Sequence, residues 1–200
     1  MSAQKISFGV VLLALWFWSP VLTQGQMIDS AGGASGYELK LNKITRQLMT
    51  TPDYRALDSG MSSRPSLTNV KWLQIEVEFE SKPEWADDVQ VKYYVLLGKG
   101  QDARLFVGDV THVNVARGNR HYSAMFMHPN TVERYGHGQI EAVAAQIFYK
   151  NRPVDQNSVP PMDARWWEKY TPTPGFLLMP QQTPWSLTMY DHYEAVKNTP

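Results

Sequence analysis

The sequence of 200 residues contains no cysteine. This absence excludes disulfides, thiol catalysis, zinc–thiolate sites, iron–sulfur clusters and a lipid anchor on cysteine. A net charge is also lacking, because 19 lysines and arginines balance 19 aspartates and glutamates. Without a basic field, nucleic-acid binding is not expected. A domain of this length folds without disulfides if its core is large enough.

A long hydrophobic run is missing as well. The apolar stretch at residues 6–18 covers about 13 residues, and a bilayer span needs roughly 20. Lys5 precedes this stretch, and Thr23 and Gly25 suit the −3 and −1 positions of a cleavage site. We therefore predict a signal peptide over residues 1–25, with a retained N-terminal anchor as the alternative. After cleavage no membrane span is expected, and the protein would act in the periplasm or at the cell surface.

What the sequence does contain is strand periodicity. After a small, polar leader at residues 26–36, apolar and polar residues alternate in several stretches separated by turn residues, with a long polar connection at residues 50–69. This spacing predicts a mainly β fold, an antiparallel immunoglobulin-like β-sandwich with short helices, over residues 37–151. The predicted strands begin at Tyr37 and cover residues 75–79, 89–97, 105–116 (one strand or a bent pair), 122–128 and 140–149, the last with a helix as the alternative.

One strand carries a row of glutamates that could form a metal site or only the solvated face of a strand. In KWLQIEVEFESKPEW, Glu76, Glu78 and Glu80 alternate with apolar residues and therefore share one face. Such residues lie in a line about 6.6 Å apart, whereas metal ligands must converge on one point. We interpret the row as the solvated face of a strand, with Lys92 and Lys99 as possible cross-strand partners. We also expect a bulge at Trp72-Leu73 and the end of the strand at Lys82-Pro83.

No other pattern predicts chemistry. The five histidines form no HExxH motif and no pair one helical turn apart, although His112 and His128 could meet across strands. A Ser-His-Asp triad is compatible with the composition, but no GxSxG elbow is present. We therefore expect no catalytic residue, no cofactor and no metal. A hydrolase that uses Asp87 or Asp88 beside a histidine remains a minor alternative.

The last part of the chain, residues 152–200, is rich in proline and aromatic residues. We predict a polar link over residues 152–161, then a short helix from Asp163 to Tyr170 with Asp163 as its N-cap. This aromatic C-terminal extension is expected to pack on the sandwich. Trp166 and Trp167 are adjacent, so one of them should face solvent or a partner. The candidate partner-binding residues are Trp166, Trp167, Trp185 and Tyr190.

Three segments resemble a known family. The acidic strand ends in Pro-Glu-Trp at residues 83–85, a YYVLL strand follows at residues 93–97, and Thr-Pro-Trp at residues 183–185 precedes YDHYE at residues 190–194. Over Val70–Lys197 the chain resembles immunoglobulin-like, type IV pilus-associated exported proteins of verrucomicrobial bacteria. The resemblance implies a β-sandwich and a role in a pilus or envelope assembly, without known chemistry.

The N-terminus departs from that of a polymerising pilin. The Lys5-Ile6 pair lacks a preceding glycine, and Pro20 would interrupt an assembly helix. The leading hypothesis is therefore a non-enzymatic, exported protein-interaction module with envelope or pilus proteins as partners. Edge strands and the C-terminal aromatics would make the contacts. The alternative is a carbohydrate-binding module in which the same aromatics stack on glycans.

Overall fold

A computed structural model describes residues 38–52, 71–189 and 191–197. These residues belong to one compact unit, Gly36–Pro200. The predicted signal peptide and leader, and most of the connection at residues 50–69, lie outside the described residues. No helix among the described residues is long and apolar enough to cross a membrane.

The described residues form nine β-strands and one α-helix, so the prediction of a mainly β fold is confirmed. Three short 3-10 turns complete them, at Gly100–Asp102, Trp166–Lys169 and Pro180–Gln182. The elements are β1 (Leu39–Thr50), β2 (Lys71–Ala86), β3 (Val89–Leu97), β4 (Arg104–His112), β5 (Val115–Met127), α1 (Pro129–Gly136), β6 (Ala142–Tyr149), β7 (Arg152–Val159), β8 (Pro172–Pro174) and β9 (Leu177–Leu178).

The strands form two sheets that pack face to face. The four-stranded sheet has the order β1-β2-β5-β9, and the five-stranded sheet has the order β7-β6-β3-β4-β8. Neighbouring strands are antiparallel, except that β8 runs parallel to β4. The chain changes sheets four times, after β2, β4, β5 and β8, and it forms an immunoglobulin-like sandwich.

Period-two alternation accounts for the core. In β2, Ile75, Val77 and Phe79 are fully buried, and in β3 the odd-numbered residues from Val89 to Leu97 face them from the other sheet. The prediction of these strands is confirmed. The alanines of β6, which left a helix open, lie in a strand whose outer face is covered by Trp166 and Trp167. Small side chains leave room there for two indoles.

The predicted polar link at residues 152–161 is wrong for most of its length. Residues 152–159 form β7, which pairs antiparallel with β6 at the edge of the five-stranded sheet. An edge strand carries polar side chains without cost, and Pro153 is tolerated where its missing N–H faces away from a ladder. The polar composition of residues 152–159 therefore gave no indication of a strand.

The predicted limits of β2 are also wrong. The strand continues through Lys82-Pro83 to Ala86, with irregular pairing to β5 after Phe79. The bulge predicted at Trp72-Leu73 is not observed, since β1 pairs with residues 71–78 without a shift. Both side chains are buried because each face of the sheet is covered at this point.

The predicted segment 105–116 spans β4 and the beginning of β5, as its bent-pair alternative stated. The predicted turn at Gly118-Asn119 is wrong, because residues 122–127 continue the same strand that begins at Val115. Gly118 lies inside β5, opposite Ser81 in an irregular stretch of the ladder. An added Cβ at Gly118 would lie 2.9 Å from Nε2 of His121. Glycine here allows the close approach of the His121 ring and does not mark a turn.

The predicted helix at Asp163 to Tyr170 is reduced to the 3-10 turn Trp166–Lys169. Arg165 precedes it in the left-handed region, at φ 58°, and the Asp163 side chain makes no cap. Only the Asp163 backbone carbonyl accepts a hydrogen bond from the Trp166 N–H, at 3.2 Å. The cap prediction is therefore wrong, although a helical turn is present.

Candidate functional site

The predicted anchor residues on the five-stranded sheet are buried. Trp166 and Trp167 are 1% and 6% exposed, so the prediction that one of them meets solvent is wrong. Trp167 stacks on Tyr94 with ring centroids 4.7 Å apart, and Trp166 packs edge-on against Trp167 at 5.7 Å. The two indoles point in different directions, yet both are covered by protein atoms, because the 3-10 turn packs on the outer face of the five-stranded sheet.

Trp185 has the same role on the other sheet. It is 3% exposed, stacks on Phe126 at 5.2 Å and meets Trp72 edge-on at 5.7 Å. Trp185 lies near the start of a segment that we call the C-terminal strap, residues 183–189 and 191–197. The fourth predicted anchor, Tyr190, lies outside the described residues. The three described anchors therefore hold the chain to itself.

Among the described residues, the tryptophan that is exposed is a different one. Trp85 is 63% exposed, near the end of β2. Simple alternation from Phe79 would place Trp85 on the core side, but the ladder is irregular between Ser81 and Trp85. Its partner on β5 is Ala116, whose methyl group is too small to cover an indole. Sequence reasoning missed this residue because it ended the strand at Lys82-Pro83, and the register irregularity that turns the indole outward has no sequence signature.

A buried polar network lies beneath the strap. The Tyr93 hydroxyl is 2.6 Å from Oγ of Ser123, and Nε2 of His112 is 2.7 Å from the same oxygen. Nδ1 of His112 lies 3.2 Å from the backbone carbonyl oxygen of Glu194. A carbonyl only accepts, so Nδ1 carries the proton and Nε2 accepts from the Ser123 hydroxyl. Tyr93 then donates to Ser123, and the chain of donors is complete with a neutral imidazole.

Burial determines the ionisation of this network. Desolvation lowers the pKa of His112, and the hydrogen bonds that His112 makes to the strap backbone and the nearby Glu194 charge only partly oppose this shift. Burial also raises the pKa of Tyr93. Both groups are therefore held neutral, which is the state that the donor order requires.

The Ser123–His112 pair resembles part of a catalytic triad, but it is not an active site. Ser123 is 0% exposed and His112 is 1% exposed, so no substrate reaches them. The second ring nitrogen of His112 faces a backbone carbonyl where a triad has a carboxylate. The network joins both sheets and the strap, and its role is structural.

The other candidate residues do not converge either. His128 packs on Trp72 at 4.8 Å, away from His112, and Asp87 accepts a hydrogen bond from the Asn114 N–H at 2.8 Å. Asp88 pairs with Lys197 of the strap. Within residues 38–52, 71–189 and 191–197, no group of three His, Asp or Glu side chains could hold a metal ion.

The strap is held at several further points. His121 Nδ1 lies 2.8 Å from Oε1 of Glu194, and the Phe79 ring packs against His121 at 5.4 Å. Backbone hydrogen bonds join Glu194 N–H to the Tyr122 carbonyl and Val113 N–H to the Ala195 carbonyl. The strap therefore closes over β5 and the turn before it.

The glutamate row lies on the outer face of β2, as predicted, but it is not uniformly solvated. Glu76 accepts a hydrogen bond from the Tyr193 hydroxyl at 3.3 Å and lies 3.5 Å from Nε2 of His192, so the strap covers it. Glu78 lies 3.9 Å from Nε of Arg120. The predicted partners Lys92 and Lys99 are wrong because β3 belongs to the opposite sheet. Lys99 instead pairs with Glu141 at 3.5 Å.

Comparisons with known proteins identify the fold and the family. A family model of verrucomicrobial pilus-associated proteins matches residues 32–200. A crystal structure of a protein from Akkermansia muciniphila has a similar fold, with a TM-score of 0.67 and 20% sequence identity, covering 82% of this chain and 94% of that chain. At this identity the similarity shows the fold alone. No curated protein matches the sequence.

Proposed function

This chain belongs to the family of verrucomicrobial pilus-associated proteins, and from that premise we propose that it acts by protein contact in a pilus or related envelope assembly. The proposal is of a non-enzymatic module that works after export, in the periplasm or at the cell surface. Two observations on the described residues support it. The Ser123–His112 pair is buried, which argues against catalysis there, and Trp85 is exposed, which favours a protein contact.

The observation that carries the proposal is Trp85. An exposed indole on a rigid strand is the residue type most enriched at the energetic centres of protein interfaces. Trp85 is held on β2 between the buried residues Ser81 and Ala86, so it needs no reordering to meet a partner. Glu84 and Arg117 are exposed beside it and supply charges of both signs for a polar rim.

The test is capture of envelope proteins by the exported protein and by Trp85→Ala, with captured proteins identified by mass spectrometry. Loss of an interface tryptophan costs about 2 kcal/mol or more, a roughly 30-fold loss of affinity. We therefore expect pilus or secretion components to be recovered with the wild type and lost with Trp85→Ala. Leu187→Ala is the matched control, because Leu187 is 74% exposed on the strap and is not an aromatic anchor.

Two results would count against the proposal. Equal capture by Trp85→Ala and the wild type would show that the contact lies elsewhere. Retention of polysaccharide with no envelope protein would favour the glycan-binding alternative over protein contact. Unfolding curves for both variants must match the wild type, since substitutions at such exposed positions usually change stability by less than about 0.5 kcal/mol.

A further inference from the structure

A groove with the chemistry of a ligand site lies outside the strap, since none of its lining residues belongs to the strap. Its volume is about 500 Å³, within the usual range for small-molecule sites. Three segments distant in sequence form it: the turn before β4, the C-terminal end of α1, and the chain that leads into β8. The protein-contact proposal does not use this groove.

The charge of the groove is positive. Arg104 and Lys169 line it, and no aspartate or glutamate is among its lining residues. Lys169 lies 3.6 Å from Asp163, but both side chains are mostly exposed, so the pair is weak and easily exchanged. In the part of the chain that the structure describes, the Arg104 guanidinium has no ion pair. The carboxylate of Asp102 lines the adjacent depression instead.

Aromatic side chains provide the walls. Tyr135 and Tyr170 are half-buried and line the groove with Phe106, which is 1% exposed and packs against Tyr135 at 5.2 Å. Tyr170 packs edge-on against the buried Trp166 at 6.4 Å. Each tyrosine thus packs against a buried ring and is itself only partly buried, and the Arg134 guanidinium lies 5.0 Å from the centre of the Tyr135 ring. Thr171 and Thr173 add hydroxyl groups.

The backbone at the groove argues against a bound peptide strand. β8 forms the edge of the five-stranded sheet here, and it reads Pro-Thr-Pro. Pro172 and Pro174 lack N–H groups, so an added strand would find few donors along this edge. A ligand must therefore be held by side chains.

Two cations, partly exposed tyrosine rings and hydroxyl groups together match a ring that is apolar on its faces, polar at its rim and negatively charged. We propose that this groove binds a sugar that carries a carboxylate, such as a uronic acid unit. Arg104 and Lys169 would bind the carboxylate, and Tyr135 and Tyr170 would pack on the ring.

The test uses isothermal titration calorimetry of the exported protein with oligogalacturonate and with the same oligomer as its methyl ester. Esterification removes the charge and keeps the ring. We expect the acid to bind and the ester to bind at least about tenfold more weakly, since a charge-assisted hydrogen bond is worth more than a neutral one. Arg104→Gln and Lys169→Gln should each weaken binding of the acid by about tenfold.

The control variant is Lys99→Gln. Lys99 is an exposed cation that precedes the turn Gly100–Asp102 and pairs with Glu141. This variant should leave binding unchanged, and all three variants should unfold like the wild type. Equal binding of acid and ester, unchanged binding by the Arg104 and Lys169 variants, or no binding of the acid at millimolar concentration would each overturn the proposal. So would tighter binding of a glutamate-rich peptide than of the oligosaccharide.

Discussion

Protonation of His112 should destabilise the folded protein, and the size of this effect can be worked out from the buried network. With the imidazole neutral, each hydrogen between Tyr93, Ser123, His112 and the Glu194 carbonyl has an acceptor. A protonated Nε2 must donate to Ser123, which then has to turn its own hydrogen toward Tyr93. The Tyr93 hydroxyl loses its acceptor, and a charge is buried next to it.

The sign and size follow from linkage. Burial lowers the pKa of His112 in the folded protein below the ordinary value of 6.5, so the unfolded chain binds the proton first. Stability contributed by neutral His112 is therefore fully present above about pH 6.5 and decreases as pH falls below it. Over the range in which His112 is neutral when folded and protonated when unfolded, each pH unit lowers the free energy of unfolding by about 1.4 kcal/mol.

The assay is urea unfolding followed by tryptophan fluorescence from pH 7.5 to 4.5, for the wild type and for His112→Gln. Carboxylates titrate in both proteins, so the difference between the two curves isolates His112. We expect the advantage of the wild type to shrink by about 1.4 kcal/mol per pH unit below 6.5. His137→Asn, at an exposed left-handed position outside the network, should keep the wild-type profile. A difference that does not change with pH, or an NMR titration of His112 at or above 6.5, would refute the reasoning.

Two further predictions concern packing. Trp166→Ala should lower the free energy of unfolding by about 3–5 kcal/mol in urea titrations, whereas Trp166→Phe should cost less because the indole N–H has no hydrogen-bond partner among the described residues. Equal losses for the two variants would show that the ring volume is not what matters. Gly108→Ala places a Cβ 2.8 Å from the Leu177 Cβ and should cost about 1–3 kcal/mol, measured as a lower thermal midpoint, and an unchanged midpoint would mean that β9 shifts freely.

Sequence periodicity was sufficient for the strands that face the core and have one wet side. Ile75, Val77 and Phe79 alternate with glutamates, and both the strand and its orientation follow from that pattern. Periodicity fails where both faces are covered, as at Trp72-Leu73, and where neither face needs to be apolar, as in β7. In both cases tertiary packing, which a single sequence does not display, decides which face is dry.

The candidate sites were less predictable because exposure depends on register. Trp166, Trp167 and Trp185 stand next to prolines and polar residues, in a context typical of exposed segments, yet all three are buried. Trp85 lies beyond the predicted end of its strand at Lys82-Pro83, so the sequence assigned it to neither face, and the structure shows it exposed. The His112–Ser123 pair spans 11 positions across the β4–β5 turn and has no sequence signature.

The same buried indoles can stabilise a sandwich that has no cysteine. A buried tryptophan removes on the order of 200 Å² from water, worth up to about 5 kcal/mol at 25 cal/mol per Å². A disulfide typically contributes about 2–4 kcal/mol. Trp166 and Trp167 on one sheet, with Trp185 on the other, can therefore replace several cross-links and cover both outer faces. Because the aromatic tail is used to close the fold, surfaces for partners must be sought where that covering stops. Trp85 and the groove beside Arg104 are such places. The ligands proposed for them differ, a protein for Trp85 and an acidic sugar for the groove, so each can be tested without the other.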